Sequence, residues 1–80
     1  MNREETLAWI DDVMDALDQF EVMAIIEETI AAGHITPEFF ETLEAETDRL
    51  KTAGEVAAYN RLLEIARTIA IIRQNRKENL

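Results

Sequence analysis

Across eighty residues the chain carries only two glycines, Gly33 and Gly54, and one proline, Pro37, so the strong breakers of regular backbone fall in just two places. Between them the apolar residues recur at three- and four-residue steps, the spacing of one face of an α-helix. A chain so punctuated is confined to helices joined by short turns. Asn2 with Glu5 three residues on has the spacing of a capping box, and Leu7, Ile10, Val13, Met14 and Leu17 follow as one stripe, predicting a first helix over about 3–17. Beyond Asp18 the apolar phase jumps. On one straight helix Phe20, Val22, Met23, Ile25, Ile26 and Ile30 would lie about 150° or more round from the first stripe. A break resolves the conflict: Asp18 and Glu21 can form a second capping box, opening a helix over 19–32 that Gly33 ends. A single continuous helix over 3–32 is the rival.

Thr36-Pro37-Glu38 is a start signal of three parts: a hydroxyl to cap free N–H groups, a proline at the first helical position, and an acid at the positive helix end. It opens a third helix over 37–52, with Phe39, Phe40, Leu43, Thr47 and Leu50 as its narrower stripe and Ala53-Gly54 as its end. The fourth, over 55–75, is the most apolar. Val56, Tyr59, Leu62, Leu63, Ala66, Ile69, Ala70 and Ile72 cover a face about 200° wide, and Ile71 points away with Glu64 and Arg67. Such a face belongs to a helix that is central in its bundle, or to one that packs on its own domain and on another chain; the second reading is preferred and predicts a homodimer through residues 55–75. The fold class expected is all-α, a compact antiparallel bundle of four helices forming a single domain over 1–80.

Charge is sorted along the chain. Met1 to Asp48 holds fourteen acidic residues and one basic one, Arg3, while Arg49 to Leu80 holds seven basic and three acidic, giving −13 and +4 for the two parts and −9 overall. This sorting favours docking of the Arg-bearing fourth helix near the acidic first and second helices. An isoelectric point near 4.4 disfavours direct binding to nucleic acid or anionic lipid, because the long-range field has the wrong sign, and favours a partner protein with a basic surface. So short a chain buries only about 60–65% of its unfolded surface. Without cysteine neither a disulfide nor a thiolate metal site can reinforce it, and apolar packing must hold the fold. The N-terminus lacks the basic start and apolar run of a signal peptide, and no stretch reaches the ~18 apolar residues that span a bilayer. A cytoplasmic protein is expected, with no membrane partner.

Asp11, Asp15 and Asp18, with Glu4 and Asp12, line the solvent side of the first helix, but hard cations want six or more oxygens converging from a bent loop, and no such loop motif is present. A solvated acidic face is the simpler account, and no metal or other cofactor is expected. Paired carboxylates need a cleft to act as acid and base. His34, the lone histidine, stands at the end of the second helix, where it suits the negative end of the dipole. There is no serine and no cysteine, and Thr36 beside it is already a cap, so nucleophilic catalysis fails on inventory. Neither glycine has the spacing of a phosphate loop. The protein is expected not to be an enzyme. The basic end Arg73, Gln74, Asn75, Arg76 and Lys77 suits the C-terminal dipole of a last helix and could also touch an anionic surface.

Trp9 borders the first stripe, and Phe39 and Phe40 cannot both face one core, so Trp9, Phe39, Phe40 and Ile71 are the candidate contact residues. The function expected is noncatalytic: an interaction or regulatory module presenting apolar anchors ringed by carboxylates. Its rival is an acidic mimic of nucleic acid or antitoxin-like inhibitor, in which Asp11, Asp12, Asp15, Asp18, Glu27 and Glu28 stand in for phosphates. From Thr36 to Ala66 the order helix, turn at Gly54, helix resembles a single tetratricopeptide-type hairpin, with Leu43, Leu50, Leu63 and Ala66 at that family's packing positions. Glu46, Thr47 and Tyr59 depart from its pattern. The resemblance implies a protein-binding scaffold whose faces need the N-terminal helices or a second chain as cover.

Overall fold

The computed structural model describes the backbone of residues 1–78 and the side chains through Asn75. Four helices, α1 (Arg3–Met14), α2 (Gln19–Ala31), α3 (Pro37–Thr52) and α4 (Val56–Glu78), hold most of the described residues and enclose one core. The Cα radius of gyration is 12.4 Å and the extents are 40 × 26 × 20 Å. The starts of α1 and α3 lie side by side. There Arg3 N donates to Glu38 Oε1 at 3.2 Å and Thr36 Oγ1 donates to Met1 O at 3.0 Å.

The first two helices are separate, which excludes the continuous helix, and the first ends at Met14 rather than residue 17. Its start is the expected capping box, Asn2 accepting from Glu5 N at 2.8 Å while Glu5 Oε1 accepts from Asn2 N at 3.2 Å. Its last turn carries no basic residue, and Asp15 caps it. An acid there opposes the negative end of the helix dipole and does nothing to prolong the helix. The chain then tucks Ala16 inward, 7% exposed, and Arg61 Nη2 from α4 donates to the Ala16 carbonyl at 2.9 Å. Asp18 opens α2 by accepting from Glu21 N at 2.9 Å, but the capping box is half formed: Glu21 Oε2 accepts from Leu17 N, one residue before the expected donor.

Both glycines close helices in the left-handed conformation, each with φ of 75°. At the end of α2 the His34 N–H reaches Thr29 O and the Gly33 N–H reaches Ile30 O; at the end of α3 Glu55 N and Gly54 N repeat the pattern to Leu50 O and Lys51 O. These are paired Schellman closures, which occupy carbonyls that the helix itself leaves free.

The core is Trp9, Ile10 and Val13 of α1, Ile26 of α2, Phe39, Leu43 and Leu50 of α3, and Leu62, Ile65 and Ile69 of α4. The fourth helix packs against each of the other three. The fourth helix does lie beside the acidic first and second helices, yet among the described residues no salt bridge joins it to them. Among the described residues the two salt bridges, Arg49 to Glu46 at 3.0 Å and Arg67 to Glu64 at 3.4 Å, each lie within one helix.

Candidate functional site

Two of the four candidate contact residues are core residues. Trp9 is 7% exposed, its indole N–H donates to Thr29 Oγ1 at 2.8 Å, and that hydroxyl in turn donates to Ile25 O at 2.8 Å. A buried indole needs an acceptor, and Thr29 places one there without leaving its own proton unpaired. Phe39 is fully buried and meets the Trp9 ring edge to face, with centroids 5.1 Å apart. Neither is therefore an exposed anchor in this fold. Of the two phenylalanines Phe40 is the one at the edge of the core: it is half-buried, edge-on to Phe39, with the Arg73 guanidinium 5.1 Å from its ring centroid. Ile71 is exposed, on the side of α4 that carries Glu64 and Arg67.

The most exposed large apolar side chains stand elsewhere. Leu17 is 92% and Phe20 86% exposed, flanking the turn between α1 and α2, although both were expected in buried helical stripes. For Leu17 the cause is the early end of α1, since a residue in the turn is no longer carried round with Val13. Phe20 lies in the first turn of α2, and the residues of that helix that do turn inward are Val22, Ile25, Ile26, Thr29 and Ile30, half-buried or buried. Beside this corner is a groove of about 300 Å³, its floor formed by Val22, Met23 and Ile65 and its rim by Asp18, Arg61 and Glu64. A phase count along the sequence signals the break at Asp18, but it does not say which residues the broken chain leaves outside.

Asp11, Asp12, Asp15, Asp18, Glu27 and Glu28 are all exposed, and none of them is in a salt bridge among the described residues. Asp11, Asp12 and Asp15 crowd the C-terminal end of α1, while Glu27 and Glu28 occupy the last turns of α2, another helix without a basic residue there. Each of these ends therefore gathers negative charge where the helix dipole is itself negative. The basic side carries less of interest: Arg49, hydrogen-bonded to Glu46 and attracted by its charge, is held above the ordinary arginine pKa. Arg73 is half-buried against Phe40, and the side chains of Arg76 and Lys77 lie outside the described residues.

A second hollow, lined by Met1, Glu5, Trp9, Asp12 and His34 among others, brings the lone histidine near two carboxylates. No group of three or more His, Cys, Asp or Glu side chains among the described residues is arranged to hold a metal ion. No helix among them is long and apolar enough to cross a membrane. Compared with known proteins, the chain matches no family model, no curated protein and no solved structure.

Proposed function

We propose that the protein is a small noncatalytic interaction module that captures a partner protein at the corner between α1 and α2, with Leu17 and Phe20 as apolar anchors and the surrounding carboxylates as a guide for a basic surface. The observation that carries this reading is the exposure of those two side chains, 92% and 86%, beside an open groove. Two large apolar groups held in water next to a concave apolar floor are the raw material of an interface hot spot. Unpaired acids around such anchors raise the encounter rate with a basic partner and orient it, while the anchors supply the affinity. Ile71 extends the contact candidates onto α4, and the α3–α4 hairpin, the part that resembles a tetratricopeptide unit, serves as the rigid base. A reducing, cytoplasmic setting suits a cysteine-free acidic chain of this kind.

The test is capture from lysate on the immobilised protein, followed by measurement of affinity for the protein retained. Leu17→Ser and Phe20→Ser are expected to weaken that complex at least about tenfold each, the scale of an anchor residue. Asp15→Asn and Asp18→Asn are expected to slow association and to change its salt dependence with a smaller loss of affinity. Unchanged affinity in both serine variants would refute the reading.

A second reading is favoured by the unpaired state of Asp11, Asp12, Asp15, Asp18, Glu27 and Glu28: an acidic mimic that occupies the basic groove of a nucleic-acid-binding protein. Its mark would be binding that falls steeply with salt and with each carboxylate neutralised, and that ignores the serine substitutions.

A further inference from the structure

Of the four helices α2 is the richest in apolar residues, eight of thirteen, yet it contributes least to the core. The other three helices each place three large apolar side chains there, whereas α2 places Ile26 alone. Val22, Ile25 and Ile30 are half-buried around it, and Phe20 stands in water. The broadest helix contacts are those of α3 with α4 and with α1. The second helix packs mainly on α4, and even there the groove over Val22, Met23 and Ile65 leaves the contact partly open. Among the described residues no salt bridge ties α2 to another helix, and the one side-chain hydrogen bond that does so runs from the Trp9 indole to Thr29. Outside the two ends of α2, by contrast, the chain is latched: Arg61 Nη2 holds the Ala16 carbonyl at 2.9 Å, and Thr36 Oγ1 bonds Met1 O at 3.0 Å.

Resistance to local opening follows buried contact, and a segment with little of it opens by itself, below the free energy of global unfolding. We infer that residues 17–35 form such a segment: α2 is a lid that opens as one unit while α1, α3 and α4 stay packed, and its opening uncovers the Trp9 indole and the Ile65 side of α4. Nine of the ten core residues lie outside α2, so the three remaining helices keep their mutual packing when it leaves. The latches at Ala16 and Thr36 set the limits of the unit, because each bonds the chain next to α2 to a part of the molecule that stays in place. The three acids of α2, Glu21, Glu27 and Glu28, have no basic residue in the helix to offset them, and no ion pair among the described residues opposes their departure. Opening brings into water an apolar strip that the closed state withholds, so the position of α2 gates access to it.

This inference does not rest on partner capture at the Leu17–Phe20 corner, since it concerns the free protein. The test is native-state hydrogen exchange on the full chain, read amide by amide by NMR. Protection of the Ile25, Ile26, Thr29 and Ile30 amides is expected to be at least about tenfold below that of Leu43, Leu62 and Ile65, and to respond little to low urea, because the lid exposes little surface when it opens. The Trp9 indole N–H, bonded to Thr29, is expected to exchange in step with α2 and not with the backbone of α1, once its intrinsic rate is allowed for. Ala45→Gly, at an exposed position of α3, separates local from global opening. It is expected to speed exchange of the α3 and α4 amides about fivefold, the effect of glycine inside a helix, and to leave α2 unchanged, since α3 remains folded when α2 opens. Equal protection in α2 and α4 overturns the proposal, as does a Trp9 indole that follows the α1 amides, or an α2 accelerated as much as α3 by Ala45→Gly.

Discussion

At the level of single residues, the fold turns on a threonine that no apolar pattern would select. Thr29 sits on the inner face of α2, where its hydroxyl accepts from Trp9 and donates to Ile25 O, so the one polar atom of the aromatic cluster is paired. Thr6 and Thr42 use the same device, each bonding the carbonyl four residues back and thereby entering the interior at little cost. Thr29→Val keeps the shape and removes the acceptor. Leaving a buried indole N–H unpaired costs about 1–3 kcal/mol. The expected outcome is a loss of stability on that scale in urea titration followed by Trp9 fluorescence, with Thr29→Ser close to the unaltered protein. Equal stability of the valine variant would show that the Trp9 bond contributes nothing. Trp9 also marks where sequence reading fell short: its place at the border of a stripe leaves edge and core equally open, and the partner that draws it inward lies twenty residues away.

Among the elements, the turns determine more than the helices do. Thr36 with Pro37, Asn2 with Glu5, and the two glycines each act through backbone geometry within a few residues, and all four were legible from the chain alone. A Cβ at Gly54 would meet nothing within 4 Å, so the cost of Gly54→Ala is that of holding a non-glycine residue at φ of 75°. That cost is about 1–2 kcal/mol, with no clash added. Thermal unfolding is expected to show a midpoint lowered by roughly 4–8 °C per kcal/mol of that cost for Gly54→Ala and, by the same geometry, for Gly33→Ala. A midpoint raised by either substitution would contradict the left-handed closures. The turn between α1 and α2 was harder to read because it has neither glycine nor proline. Its position follows from Asp15 at the end of α1, from Arg61 holding the Ala16 carbonyl, and from Glu21 reaching back to Leu17 N, and the second of these arrives from forty-five residues away.

For the molecule as a whole, the charge of −9 is carried with little internal pairing. The salt bridges among the described residues lie within single helices, and the acidic ends of α1 and α2 are answered by no basic residue in their last turns. Like charges so placed repel in the folded state more than in the expanded chain, and salt screens them. The melting temperature is therefore expected to rise as ionic strength increases from low salt toward physiological values, and to rise also in Asp15→Asn at low salt. A fall with added salt would mean that attractive pairs outweigh this repulsion. By itself the sequence determined the helix class, the number of helices, their caps and the sorting of charge. All of these follow from local backbone geometry and composition, which act over a few residues. Tertiary structure alone decided which apolar residues stay in water. Leu17 and Phe20 satisfy the helical period as well as Ile10 and Ile26 do, and only the point at which α1 stops, set by contacts from α4, leaves the first pair at an open corner and the second pair in the core.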